Sequence, residues 1–525
     1  MTREIPLEAR LAQDSEWLCE PSDFAGFGVP LRRFSWLSPA ILWQSRNNVL
    51  ASISGDPTEA ARRAWVTAQR MRLSAAGEPP AVTDDFTIDR SDLADFSCVV
   101  MGDTGEGDVS QYATVPGFLA AAHDTAFTVI ASDVVYPAGD VNEYIGKFFV
   151  PYAEYPHPIY AVPGNHDWLD GLAGFMRHFC DAPPPPDKLQ PPRHGRRPRL
   201  AMSVHRLFWR RAGALASETL HEAETLRGAA RASGPRPPNM YFCIDTPHLR
   251  IVCIDTGILG RLDFEQGQWL RRVSAGDKPK LLISGKPIYN GAGVSPRRIL
   301  PADGGDAATG YVLDVVNDAA NNFVAVISGD VHNYQRHPVR LPDGRVVQFV
   351  VSGAAGAFMT ATHQIPRIDL PGVRERDVVL YPTRGDSLRA YSIVMQRRVA
   401  RRLRGRRRNG WERRGIPAGE AAAIVAKRHG LTAEDAGPVA KSVSVKSRVL
   451  AEMIFPRREW FNAERISEAL DWDEPPFFKN LMRVDVRDGV LRVSAYGISG
   501  CRRDQDDPPV IDGFEIDLKR VPADG

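Results

Sequence analysis

Aspartate, asparagine and histidine recur in this chain at the ends of short apolar runs, and that placement gives them chemical potential. Five runs show it: Cys98-Val-Val-Met-Gly-Asp103, Thr128-Val-Ile-Ala-Ser-Asp133, Ile159-Tyr-Ala-Val-Pro-Gly-Asn-His166, Leu281-Leu-Ile-Ser-Gly-Lys286 and Val324-Ala-Val-Ile-Ser-Gly-Asp-Val-His332. Asp, Asn and His are ligands for hard to borderline divalent or trivalent metals, so the chemistry they would support is a metal centre handling an anionic substrate. The runs are rich in β-branched residues and stopped by Gly or Pro. They read as strands buried on both faces of a sheet, whose carboxyl ends are where such sheets place their sites. Carboxylates, an amide and imidazoles are therefore expected to converge at one edge.

The order and spacing of these clusters resemble the calcineurin-like metallophosphoesterases, and within them the purple acid phosphatase-like branch. The resemblance spans roughly Phe96 to Gly356. Gly102-Asp103-Thr104-Gly105 is similar to the family's first motif without its usual histidine, which a tyrosine replaces in that branch. Ser132-Asp133-Val134-Val135-Tyr136 resembles the second motif, with Ser in place of Gly. Gly164-Asn165-His166-Asp167 matches the third unchanged, and Gly329-Asp330-Val331-His332 keeps the second imidazole of the last motif while its first has become a carboxylate. The resemblance implies that Asp103, Asp133, Tyr136 and His332 hold a first metal and that Asp133 bridges to a second, shared with Asn165 and Asp330. It also implies that His166 faces the substrate. A single Gly-Asp or Gly-Asn-His-Asp is commonly a turn or a helix cap; five endings in the family's order are not explained that way.

One motif departs from the pattern. The family places a histidine two residues before a proline after its fourth strand, and alignment on Pro287 puts Gly285 there. The second metal would be left with oxygen ligands, which suits octahedral Mn²⁺ or Mg²⁺, while the first set suits iron; Zn²⁺ is a further candidate. The preferred expectation is a two-metal site. Its rival is a single metal, because the Lys286 ammonium could occupy the space and charge of the lost cation. The reaction implied is hydrolysis of a phosphate ester by a metal-activated hydroxide, with two cations clamping the phosphoryl oxygens, His166 as proton donor to the leaving alkoxide, and Arg336, four residues past His332, as a guanidinium fork for phosphate. The alternative function is a catalytically weak scaffold that uses the same fold to bind an anion or partner.

Composition agrees with a globular enzyme. The chain has 525 residues, 43% of them hydrophobic, enough for a substantial core, and 66 Lys plus Arg nearly balance 64 Asp plus Glu, so net charge names no partner. The first ten residues mix charges and lack the apolar segment of a secretory signal. The six cysteines are scattered without metal-ligand spacing, and Cys98, Cys243 and Cys253 fall inside expected strands, which reads as a reducing cytoplasm.

The expected architecture is an α/β two-sheet sandwich, α/β/β/α in layers, with a helical N-terminal segment (1–90), a catalytic core (91–365) interrupted by an insertion (183–238), a basic insertion (366–440) and C-terminal strands (441–525). Ser38 with Pro39 and Pro57 with Thr58 mark two helix starts, and Asp488-Gly489 marks a hairpin that would complete a sheet. Lys188 to Ser217 carries seven arginines and no acid, and Gln396 to Arg414 carries ten against Glu412 alone. Runs of this kind are commonly solvated faces. The interleaved Trp, Phe, Ile and Val favour peripheral association with an anionic membrane over nucleic acid, alongside a phosphorylated small-molecule or lipid substrate.

Overall fold

The computed structural model describes residues 3–4, 26–29, 36–54, 56–183, 207–210, 213, 217–232, 235–302, 305, 307–404, 415–432, 435, 439–455, 476–500 and 507–519. Most of both arginine-rich stretches lies outside the described residues, and so do Cys19 and Cys501.

Two sheets dominate. Their strands in chain order are β1 (Arg3–Glu4), β2 (Thr87–Asp89), β3 (Phe96–Met101), β4 (Phe127–Ile130), β5 (Ile159–Ala161), β6 (Phe242–Asp245), β7 (Arg250–Ile254), β8 (Lys280–Ser284), β9 (Phe323–Ser328), β10 (Tyr334–Arg340), β11 (Val346–Ser352), β12 (Val379–Tyr381), β13 (Lys479–Arg487), β14 (Val490–Ile498) and β15 (Val510–Asp517). The first sheet runs β1-β15-β14-β13-β3-β4-β5 and the second β12-β10-β11-β9-β8-β7-β6-β2. The five motif-bearing strands run parallel to their motif-bearing neighbours, β3-β4-β5 at one end of the first sheet and β9-β8 in the middle of the second. Cys98 pairs with Phe127 and Thr128 with Ile159 in the first, and Leu282 pairs with Val326 in the second. β3, β4, β5 and β8 are buried at every residue, as continuous apolar runs covered on both faces require.

The C-terminal hairpin extends the first sheet antiparallel to β3, with Met482 opposite Val100. Asp488 and Gly489 both sit at positive φ, 53° and 75°, as a type I′ turn needs. Cross-sheet bonds fix the layers: Ser352 Oγ donates to Asn480 Oδ1 at 2.7 Å, and Arg336 on β10 reaches Asp512 on β15. The N-terminal stretch is more than helical, since it supplies the edge strands β1 and β2 as well. Its helices include Pro39–Gln44, capped by Ser38, and Thr58–Ala75. The latter buries Arg62, which donates to Asp255 (2.7 Å) and Asp263 (3.2 Å) and so bolts the helix to the core. No helix among the described residues is long and apolar enough to cross a membrane. Cys98, Cys180, Cys243 and Cys253 are buried free thiols.

Burial of neutral histidines away from the site makes a testable contribution to stability. His178 is 2% exposed, and its Nε2–H donates to the Val141 carbonyl at 3.0 Å, so burial pushes its pKa down to about 4. The folded chain therefore resists protonation that the unfolded chain accepts at pH ~6.5. This stabilisation is complete above pH ~6.5 and is lost as pH falls through about 4. Relative to His178→Gln, the wild type is expected to lose on the order of 3 kcal/mol across that window in denaturant titrations. Parallel stability curves for the two proteins would contradict it.

Candidate active site

Each chemically interesting residue sits just past the carboxyl end of a parallel strand: Asp103 after β3, Asp133 after β4, Asn165 and His166 after β5, Lys286 after β8, Asp330 and His332 after β9. The two sheets' ends meet there, and glycine makes the approach possible. A Cβ on Gly329 would lie 2.5 Å from Asp103 Oδ2, and one on Gly164 would lie 2.1 Å from Asp133 Oδ1. Asp103 and Asp330 themselves adopt left-handed backbone, with φ of 59° and 69°. Aspartate tolerates that region better than most residues, and strained backbone of this kind clusters at working sites.

The first cluster centres on the Tyr136 hydroxyl. It lies 2.9 Å from Asp103 Oδ1, 3.2 Å from Asp133 Oδ2 and 3.1 Å from His332 Nε2. His332 Nδ1–H donates to the Phe358 carbonyl at 2.9 Å, which leaves the Nε2 lone pair facing inward. Such a carbonyl partner commonly orients a metal-ligating imidazole. One hydroxyl proton cannot satisfy three acceptors, and the electrostatics express the conflict. Burial, then Asp133 and Asp330, hold the Asp103 carboxyl well above the usual range. Burial raises Asp133 as well, lifts Tyr136 well above an ordinary phenol, and pushes His332 down to about 3. A cation among these atoms would reverse the three upward shifts and press His332 lower still, keeping its imidazole neutral. As they stand, no three His, Cys, Asp or Glu side chains among the described residues enclose an ion. The donor chemistry of two carboxylates, a phenol and a backed imidazole nevertheless fits one.

The second cluster is different. Lys286 Nζ donates to Asn165 Oδ1 at 2.9 Å and to Asp330 Oδ1, so an ammonium already holds two of the three oxygen donors expected for a second metal. Asp330 N–H in turn donates to Asp103 Oδ2 at 2.8 Å, linking the clusters. These residues do not fit a second metal.

His166 borders both. Its backbone N–H donates to Asp133 Oδ1 at 2.7 Å and its Nδ1–H to the Pro137 carbonyl at 2.7 Å, which fixes the ring and leaves Nε2 as the working atom. Asp167 does not support that ring. Its buried carboxylate accepts from Val134 N, Val135 N and Gly164 N at 3.0 to 3.3 Å, tying two motif loops together.

Arg336 is not brought to the cluster, which corrects the expectation placed on it. It is 2% exposed; Nε and Nη2 meet Asp512 Oδ2 and Oδ1 at 2.6 and 3.0 Å, and Nη1 donates to Gln348 at 3.3 Å. As a residue of β10 it points between the sheets, because side chains alternate along a strand and position 336 falls on the inner face.

Sequence reasoning missed three neighbours. Trp36 packs edge-on against Tyr136, His166 and Phe358 at centroid distances of 5.3, 5.4 and 5.4 Å, and its indole N–H donates to Glu106 at 3.2 Å. Burial raises the Glu106 pKa to about 8. Nothing in an apolar N-terminal stretch marks a tryptophan for a site some seventy positions away; Glu106, three residues past Asp103, was in plain view. Arg297, at φ 56°, anchors its guanidinium on the Pro287 carbonyl beside Lys286 and lies near enough to Asp330 for their charges to interact. It is the guanidinium the structure offers in place of Arg336.

The sequence matches the calcineurin-like phosphoesterase family over residues 96–334. A search of curated protein sequences finds no match. Among solved structures, a purple acid phosphatase isolated from yellow lupin (Lupinus luteus) seeds is similar at 12% identity, with a TM-score of 0.36, covering 82% of this chain and 55% of that one. GAP50, the anchor in the inner membrane complex of Plasmodium, is similar at 11% identity and a TM-score of 0.30, over 53% of this chain and 75% of that one. TT1561 of Thermus thermophilus follows at 12% identity and a TM-score of 0.24, over 50% of this chain and 90% of that one. The matched stretch, 96–334, carries every residue of both clusters and is similar to a calcineurin-like phosphoesterase domain.

Proposed function

We propose that this chain hydrolyses a phosphate ester with the help of a cation held by Asp103, Asp133, Tyr136 and His332. The observation that carries the reading is the meeting of two carboxylates and an inward-facing imidazole nitrogen on the Tyr136 hydroxyl. Bound there, the cation would supply Lewis acidity to a phosphoryl oxygen and acidify a water. The chain's own residues do the rest. Lys286 and Arg297 supply fixed positive charge on the opposite side, where a phosphoryl group would lie against them. Trp36 walls the site from one flank. A cavity of about 300 Å³ opens beside Val331 and Asn333, the neighbours of His332, and its lining of Asn290, Asn333, Gln335, Thr360 and Gln364 carries no charge. It suits the polar, uncharged alcohol portion of an ester.

His166 is the proposed proton donor to the leaving alkoxide, through Nε2. His166→Ala removes that atom but keeps the backbone N–H on Asp133, so turnover should fall about a hundredfold while metal content is unchanged. Loss of metal from this variant would refute the assignment. The direct test of the function is release of an aryl alcohol from aryl phosphate by Mn²⁺- or Fe-loaded protein, with chelator as control. Inactivity on monoester, diester and pyrophosphate panels would instead favour the anion-binding scaffold.

A further inference from the structure

We propose that Lys286 is the permanent occupant of the second cation position, so that this chain works with one metal and one ammonium where two metals are expected. The inference rests on the first-cation reading above. Three observations carry it. Lys286 Nζ donates to both Asn165 Oδ1 (2.9 Å) and Asp330 Oδ1, so the two donors that would define a second metal are engaged by a built-in cation from the end of β8. A divalent ion on the same oxygens would sit beside a like charge at hydrogen-bond range.

The residue next to it removes the remaining ligand. Gly285 offers no donor, and the space is closed to a replacement: a Cβ there would lie 2.9 Å from the Pro163 carbonyl and 3.0 Å from Thr256 Oγ1. A histidine at this position therefore could not reach the site without displacing the β5 loop. Arg297 supplies the third observation. Its side chain and that of Lys286 run together over Gly260, where a Cβ would lie 3.2 Å from Lys286 Cδ and 2.5 Å from Arg297 Nη1. The guanidinium is held by the Pro287 carbonyl, and its charge reaches Asp330. Asp330 thus faces two fixed cations from this side and needs no second metal ion to balance it.

The test is a count of manganese on the full chain, stripped with chelator, dialysed against Mn²⁺ and measured by elemental analysis and electron paramagnetic resonance. The wild type and Lys286→Arg, which keeps the charge, should bind one ion per chain with an uncoupled spectrum. Lys286→Met, similar in length but neutral, frees Asn165 and Asp330 and should double the manganese content and show exchange coupling between the ions. Once the first position is filled, further Mn²⁺ should raise its activity more than tenfold, while the wild type, already holding its one ion, does not respond. Two ions in the wild type would overturn the inference and leave the first-cation reading intact, and so would a single ion in a folded Lys286→Met. No manganese in any of the three proteins would sink the first-cation reading and this inference with it.

Discussion

Asp133→Asn is expected to abolish metal retention and to lower phosphoesterase turnover by at least about a thousandfold, since loss of residues that merely support ligands already costs about 10- to 100-fold. Asp133 is the point of greatest leverage. One of its oxygens meets Tyr136 at 3.2 Å in the proposed cation position, and the other accepts the His166 backbone N–H at 2.7 Å. Asparagine can still accept that second bond, so the β4 and β5 loops stay in place and the loss isolates charge. The same substitution carries an opposite signature in stability. Without metal, Asp133 is a buried carboxylate that raises the pKa of its neighbour Asp103, and neutral asparagine relieves that repulsion. The metal-free variant should melt no lower than the metal-free wild type. A variant that keeps both metal and activity would end the assignment.

Arg336→Ala is expected to lower stability by about 3–5 kcal/mol, the usual result of leaving one partner of a buried ion pair without the other. Asp512, its side chain 3% exposed between the sheets, would lose both arms of the guanidinium and, among the described residues, keep the Tyr334 hydroxyl at 2.9 Å. Denaturant titration reads the effect directly. Replacing both partners by apolar residues, as in Arg336→Met with Asp512→Leu, should recover most of the loss, because no orphaned charge remains. KM for an aryl phosphate should not move in the folded fraction. A raised KM with unchanged stability would restore Arg336 to the substrate site.

What could be read from the amino-acid sequence was whatever depends on neighbours along the chain. Run length, β-branched content and a stopping Gly or Pro mark β3, β4, β5, β8 and β9 as strands, and the residues stopping each run are the ones found at their ends. Ser38 before Pro39 announces a cap, and Asp488-Gly489 announces a turn that needs positive φ twice. The missing histidine at Gly285 was legible for the same reason, as a gap in a local motif. Lys286 was legible only as a question, since a ligand and a substitute for a metal look alike until Asn165 and Asp330 are placed around the ammonium.

Contacts between sheets and across long stretches of chain are decided by packing, and local pattern carries no record of them. Arg336 stands four residues beyond His332, yet the two-residue period of β10 turns it into the sandwich toward Asp512, 176 positions away. Trp36 reaches His166 because its segment folds back over the strand ends, and Arg297 is aimed by a left-handed residue and the Pro287 carbonyl. The sequence by itself determined the strands, their terminal residues and the kind of chemistry those residues support, because each follows from short-range periodicity and steric preference. Only the tertiary structure decided which charges meet: three acceptors on Tyr136, and an ammonium at the second cation position. Coulomb interactions depend on distance through space, and that distance is set by the packing of the two sheets.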